Sequence, residues 1–228
     1  MMFPRITREG YFKFVIIMLL MLLLLFDTEM AMIYILILLG DFLWFKFDNK
    51  ITFQIESRTD NRFSSLLQVA IASVAFFLIS KFALQSFFGD PGTMQSVLSL
   101  FATTTPILAG NQFLKIIVWA GLIPFIESIF FFGNLLEGFA TYGASRLGTK
   151  IDITKISIQS IIVVLFVSAL FALFHLTSKQ LSSPALMLTF IFAIISCLLV
   201  IYNRELKQAI EFHVVINLLA VLSSLNLI

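Results

Sequence analysis

Charged residues are scarce in this chain of 228 residues. Asp, Glu, Lys and Arg make up 12% of it, about half of the share usual in a soluble domain. Hydrophobic residues make up 60%, and the mean hydropathy is +1.03. A soluble core of this size cannot absorb so much apolar surface, so the solvent around most of the chain must be lipid. The composition therefore excludes a soluble enzyme and a soluble DNA-binding domain.

Cysteine is almost absent, since Cys197 is the only one. A single cysteine cannot form an intramolecular disulfide, which excludes a disulfide scaffold. The 15 basic and 13 acidic residues leave a net charge of +2, which argues against nucleic acid as a partner. The apolar runs are long and continuous rather than alternating, so a transmembrane β-barrel is excluded as well.

Seven apolar runs approach or exceed the ~20 residues that a helix needs to cross a bilayer. They cover residues 11–26, 30–45, 63–88, 113–142, 156–177, 185–202 and 206–227. A shorter run at 97–108, interrupted by Pro106, predicts an interfacial or half-inserted helix. The sequence shows no repeat and no linker. It therefore predicts one all-α domain over 1–228, a polytopic transmembrane helix bundle of about seven spans whose main partner is membrane lipid.

The basic residues predict the orientation of this bundle. If the amino terminus is cytoplasmic, every basic residue except Lys81, Lys115 and Lys179 falls on the inner side. The positive-inside rule favours such a bias. The first run is preceded by basic residues, but 27–31 offers no signal-peptidase site, so we interpret that run as an anchor. The sequence thus predicts a multi-pass integral membrane protein with a cytoplasmic amino terminus.

This orientation places loops 46–62 and 146–155 in the cytoplasm. Single cysteines introduced at Lys50 and Lys150, in a chain without Cys197, should resist an impermeant maleimide in intact cells and react after permeabilisation. A probe at Lys179, on the predicted outer side, should react without permeabilisation and serves as the control. Labelling at either loop in intact cells would overturn the orientation.

A few polar side chains interrupt the apolar runs, where they are costly and mark functional sites. Glu127 lies in the fourth run, His175 in the fifth, and His213 and Asn217 in the seventh. Residues four apart share a helix face. This spacing pairs Phe171 with His175, and His213 with Asn217.

These residue types suit peptide hydrolysis, which needs a base for water and hydrogen-bond donors for the oxyanion. A carboxylate in a poorly hydrated pocket is a better base than one in solvent, which suits Glu127. His213 and Asn217 on one helix face offer two donors toward one point, and such donors are worth about 3–4 kcal/mol each. Each residue also has a structural interpretation: Glu127 could pair with Lys115, and the others could bridge helices.

The ordered set resembles the CAAX-protease and bacteriocin-processing (CPBP, Abi-type) family of intramembrane glutamic endopeptidases. The family pattern is E-E-x-x-x-R, then F-x-x-x-H, then H-x-x-x-N or H-x-x-x-D, on successive helices. Here the second and third motifs are complete. In the first, Glu127 fits the first acid, Ser128 stands where the second Glu belongs, and Phe132 stands where the Arg belongs. The motif-bearing part is about 113–228, and the resemblance covers about 123–219.

The resemblance implies an intramembrane endopeptidase without a cofactor, acting on membrane-associated peptides or proteins that include lipid-modified ones. It implies that Glu127 activates the attacking water with help from His175, and that His213 and Asn217 hold the oxyanion. Loss of Glu127 should then be most damaging, followed by loss of the histidines and of Asn217. Ser128→Ala should change little, because the second acid is already missing.

Two other functions stay open from the sequence. A zinc-dependent intramembrane metalloprotease would use Glu127, His175 and His213 as metal ligands, as in His₂Glu hydrolases, although no H-E-x-x-H motif is present. The incomplete first motif favours a non-catalytic partner-binding or immunity-type membrane protein of the same fold. A transporter is a weaker alternative, because no repeat or paired broken helices are visible.

Upright helices would hold the two histidines apart. His175 would lie about 20 Å or more from the inner face, whereas His213 would lie only about 10 Å from it. Strong tilt, a fifth helix that begins in the cytosol, or an incomplete sixth crossing would each bring them to one depth.

Overall fold

Every regular element in the described part of the chain is a helix, as the sequence predicts. The computed structural model describes residues 62–90, 92–101, 117, 120–121, 123–136, 139, 157–179, 182–203 and 205–225. The elements are α1 (Arg62–Phe88), α2 (Met94–Phe101), α3 (Ile123–Glu127), a π-helical segment (Ser128–Leu135), α4 (Ile158–Lys179), α5 (Ser183–Asn203) and α6 (Lys207–Ser224).

Three of the described helices are long and apolar enough to cross a membrane. They are Phe63–Phe88, Ile158–Leu176 and Ser183–Asn203, and they match the third, fifth and sixth predicted spans. A shorter apolar helix, Ile123–Gly133, lies within the fourth. The full number of seven spans stays a prediction, since the first two spans lie outside the described residues. So do residues 46–61 and 146–155 of the two loops on which the orientation depends, and residues 102–108 of the predicted interfacial helix.

Short polar side chains and glycines set where the helices begin and end. Ser157 caps α4, because its Oγ accepts from the backbone N–H of Ser160 at 3.1 Å, and the Ser160 Oγ accepts in return from the Ser157 N–H at 2.8 Å. Between α1 and α2, Gly92 has φ +60°, and a Cβ there would lie 2.7 Å from the Lys81 carbonyl oxygen. Only glycine fits that turn, which folds α2 back onto the end of α1.

Aromatic rings from several helices form the core. The rings that are fully buried include Phe76, Phe131, Phe132, Phe171, Phe192 and Phe212. Phe192 of α5 lies at the centre, stacked on Phe212 of α6 with ring centroids 5.0 Å apart and 5.9 Å from Phe171 of α4. Such ring pairs add to the free energy of apolar burial. They hold α4, α5 and α6 in one fixed relation.

The two histidines lie beside one carboxyl group, and the turn before the last helix is partly buried. Glu205 and Leu206, in the turn before α6, are only 2% and 1% exposed. Leu206 packs against Gly133 of the π segment, where a Cβ would lie 3.4 Å from the Leu206 Cδ2. The turn after α5 is therefore partly inside the protein, although Tyr202 at the end of α5 is 79% exposed.

The contact between the rings of Phe192 and His213 shows how far α5 and α6 are shifted along each other. Phe192 lies 11 residues before the end of α5, about 16 Å along its axis. The His213 ring, whose centroid is 4.7 Å from that of Phe192, lies six residues after Lys207, about 9 Å into α6. The end of α5 and the start of α6 are therefore shifted along the helix axes by several ångströms. The turn between the two helices spans this shift.

Candidate active site

Three of the four predicted site residues meet in the structure. The His175 Nε2 lies 3.6 Å from Oε1 of Glu127, and the His213 Nε2 lies 3.6 Å from Oε2 of the same carboxyl. Glu127, His175 and His213 are only 2%, 4% and 2% exposed. One carboxyl group, at the end of α3, is therefore held between two imidazole rings that come from α4 and α6.

His175 is oriented by its own helix. Its Nδ1 lies 2.9 Å from the Phe171 carbonyl oxygen, one turn earlier. A carbonyl can only accept, so Nδ1–H donates, and in the neutral ring Nε2 carries a lone pair toward Glu127. The Phe171 ring also packs on the imidazole, with centroids 4.3 Å apart. Phe171 thus supports His175 through both its backbone and its ring.

His213 is oriented by a residue that sequence reasoning passed over. Its Nδ1 lies 3.0 Å from the Ser128 Oγ, and Ser128 is fully buried. Because Ser128 follows Glu127 directly, the same backbone turn fixes both the carboxyl and the hydroxyl. A short polar residue beside the lone acid of an apolar run was the signal available in the sequence.

Asn217 lies on α6 one turn after His213, as the four-residue spacing predicts. Its side chain is partly buried. The helical period places Asn217 on the His213 face of α6. This face therefore presents an imidazole and a carboxamide in succession.

A comparison with protein families supports the resemblance that the motifs carry. A family model described as type II CAAX prenyl endopeptidase Rce1-like matches residues 109–219. Residues 109–219 are therefore similar to the Rce1-like proteases. All four predicted site residues lie within this match, and the family is one of proteases. A search of the curated proteins and a search of the solved structures gave no match. The family and the apolar helices together identify an integral membrane protein.

The Rce1-like region departs from its family pattern at Ser128 and Phe132, and both side chains pack against residues of the site. Glu127 ends α3, and the following residues form a π-helix, a wider turn often found at functional sites. Phe132, which stands where the Arg belongs, is fully buried. Its ring centroid lies 5.2 Å from that of Phe171 and 6.4 Å from that of His213. At the position of the family's Arg, an aromatic ring therefore packs against Phe171 and His213.

Glu211, an acid of α6 that lies only two residues before His213, has partners of its own. The Ser65 hydroxyl of α1 donates to its Oε2 at 2.9 Å, and the Lys207 Nζ lies 3.8 Å from its Oε1. Its side chain is 33% exposed. Such a pair contributes little to stability, and solvation with these partners explains the acid without a role in the Rce1-like site.

The metal alternative, with Glu127, His175 and His213 as ligands, stays a prediction. Among the residues that the structure describes, no group of three His, Cys, Asp or Glu side chains is placed to hold a metal ion. Cys197 contacts the Ser168 hydroxyl of α4 across 3.9 Å and is fully buried. The thiol is therefore part of the packing between α4 and α5.

Proposed function

We propose that this protein is an intramembrane endopeptidase in which Glu127 activates the attacking water. One observation carries the proposal: a single buried carboxyl lies 3.6 Å from the Nε2 atoms of both His175 and His213. The protease family of residues 109–219 gives the reaction class.

Activation of water falls to Glu127 and His175. The His175 Nε2 lone pair faces Oε1 of the carboxylate, because its other ring nitrogen donates to the Phe171 carbonyl. Two acceptors side by side favour a proton donor that serves both, and water is such a donor. As the water oxygen forms its bond to the scissile carbonyl carbon, one of its protons passes to this pair.

The oxyanion that then develops is held by α6. We propose that the His213 Nε2–H and the Asn217 amide N–H, which lie on one helix face, both donate to this oxygen. Donors in a water-poor site are worth about 3–4 kcal/mol each in the transition state. Collapse of the tetrahedral intermediate breaks the C–N bond, and the proton held by Glu127 and His175 passes to the leaving amine.

The substrate follows from the surroundings of the site. Buried aromatic rings pack against both imidazoles, and Glu127 is buried beside them, so bulk water is kept from the reacting groups. We propose that the substrate is a peptide or protein end associated with the membrane. The family name speaks of CAAX prenyl endopeptidases, so lipid-modified ends are the first class to examine.

The test is cleavage by the full chain in lipid nanodiscs. A library of membrane-anchored peptides, with prenylated and unmodified CAAX ends, is incubated with the protein and read by mass spectrometry. Discrete products that require the protein are expected. Absence of any product from folded protein would favour the partner-binding alternative.

Zinc content separates the proposed mechanism from a metalloprotease. If Glu127 polarises water directly, protein purified without a polyhistidine tag should contain no stoichiometric zinc, and chelators should leave cleavage unchanged. Elemental analysis by mass spectrometry checks the first point. One zinc per chain that is lost in His175→Ala and His213→Ala would establish the His₂Glu alternative instead.

A further inference from the structure

We infer that Ser128 is a positioning residue that fixes the tautomer of His213. Its hydroxyl lies 3.0 Å from the His213 Nδ1 and is completely buried. The inference rests on the proposed function, because it explains why His213 presents an N–H to the oxyanion. The inference itself concerns a hydrogen bond that can be measured without any turnover.

The direction of this hydrogen bond follows from what each partner needs. Within the described part of the chain, the hydrogen bond that the structure gives the Ser128 hydroxyl is the one to His213. If Nδ1 carried the ring proton, it would donate to Oγ, and the hydroxyl proton would lack an acceptor in apolar surroundings, which is costly. If Ser128 donates, both atoms are satisfied. The ring proton then resides on Nε2, which faces Oε2 of Glu127.

The two histidines are thereby held in opposite tautomers. In His175 the Phe171 carbonyl requires the proton on Nδ1 and leaves a lone pair at Nε2. In His213 the Ser128 hydroxyl requires a lone pair at Nδ1 and leaves the proton at Nε2. One ring thus offers an acceptor for a proton of water, and the other offers a donor for the oxyanion. A backbone group sets the first tautomer, and a side chain sets the second.

This interpretation changes the expectation for Ser128. The family resemblance treats the residue as a missing acid, so that its replacement should change little. The contact with His213 indicates that Ser128→Ala should lower kcat by roughly 10- to 100-fold, the range typical of groups that orient a functional histidine. KM should hardly change, because the hydroxyl faces the imidazole rather than the substrate.

A matched pair of variants separates the hydroxyl from packing. Thr and Val have nearly the same shape and differ by the hydroxyl, so Ser128→Thr should retain most of the turnover and Ser128→Val should lose it as Ser128→Ala does. Equal turnover of the Thr and Val variants, or full turnover of Ser128→Ala, would overturn the inference.

Nitrogen-15 NMR of the imidazole rings reads the tautomers directly. The chain contains only two histidines, so an untagged, labelled sample in nanodiscs shows four ring nitrogens, and His175→Gln assigns them. At a pH where both rings are neutral, His213 should carry its proton on Nε2. Its Nδ1 resonance should show an accepted hydrogen bond that is lost in Ser128→Val and kept in Ser128→Thr.

A His213 proton on Nδ1, or a Nδ1 resonance that Ser128→Ala leaves unchanged, would refute the inference. This measurement needs no substrate. A protein that cleaves nothing would therefore defeat the proposed function while leaving the tautomer result to stand or fall separately.

Discussion

Glu127→Gln should abolish turnover and leave the fold intact. Loss of a general base costs typically about 10²–10⁴-fold in rate, and Glu127 is the only acid that the structure places between the two histidines among the described residues. The amide has the shape of the carboxyl. Its oxygen can accept from the His213 Nε2–H, and its NH₂ can donate to the His175 Nε2. The thermal midpoint should therefore stay the same or rise, since a buried carboxyl is removed.

Glu211→Gln is the matched control for this prediction. It makes the same chemical change in an acid that is partly exposed and pairs with Lys207 and Ser65. Turnover of the peptide library should stay within about twofold of the wild type, because Glu211 does not contact the described residues of the proposed site. Stability should change little as well, as is usual for substitutions near the surface. If the wild type and Glu127→Gln give the same products while both are folded, the peptidase interpretation fails.

Asn217→Ala should lower kcat by about 10²–10³-fold, the cost of removing one oxyanion donor. The loss belongs in kcat, because the donor acts on charge that develops only in the transition state. His213→Ala should cost at least as much, since it removes both a donor and the partner of Ser128. Single-turnover cleavage of one identified substrate, with KM measured in parallel, makes the comparison.

Asn203→Ala provides the control for the asparagine. Asn203 is also a partly buried helical asparagine, and its amide donates to the Leu199 carbonyl within α5. Its replacement should leave kcat near the wild-type value. Equal losses for Asn203→Ala and Asn217→Ala would indicate a packing role for both, and would remove Asn217 from the proposed oxyanion site.

The incomplete first motif bears on whether the protein is an enzyme. Two polar residues of the family pattern are replaced here by Ser128 and Phe132. In the structure neither position is a gap, since Ser128 contacts His213 and Phe132 packs on Phe171. These contacts favour a site that is still catalytic, with Ser128 and Phe132 supporting the histidines, over a site that has lost its activity. A folded wild type that cleaves nothing would make the partner-binding function the better account.

The membrane setting, the helical class and the candidate site residues could be read from the sequence, for local reasons. Composition reflects the surrounding solvent, so an apolar chain with few charges identifies lipid. The helical period is set within a few residues, so F-x-x-x-H and H-x-x-x-N already place Phe171 beside His175 and His213 beside Asn217. Glu127 is found because an acid in an apolar run is rare.

The contacts between helices were beyond such reasoning. From the sequence, His175 and His213 belong at different depths, whereas in the structure both lie beside one carboxyl group. The π-helical turn after Glu127 and the hydrogen bond from Ser128 to His213 depend on how α3 meets α6. Helix register and the tautomer of His213 are set by side chains far apart in the chain, and no local pattern contains their distances. The fold therefore decides which ring nitrogen of each histidine faces the carboxyl.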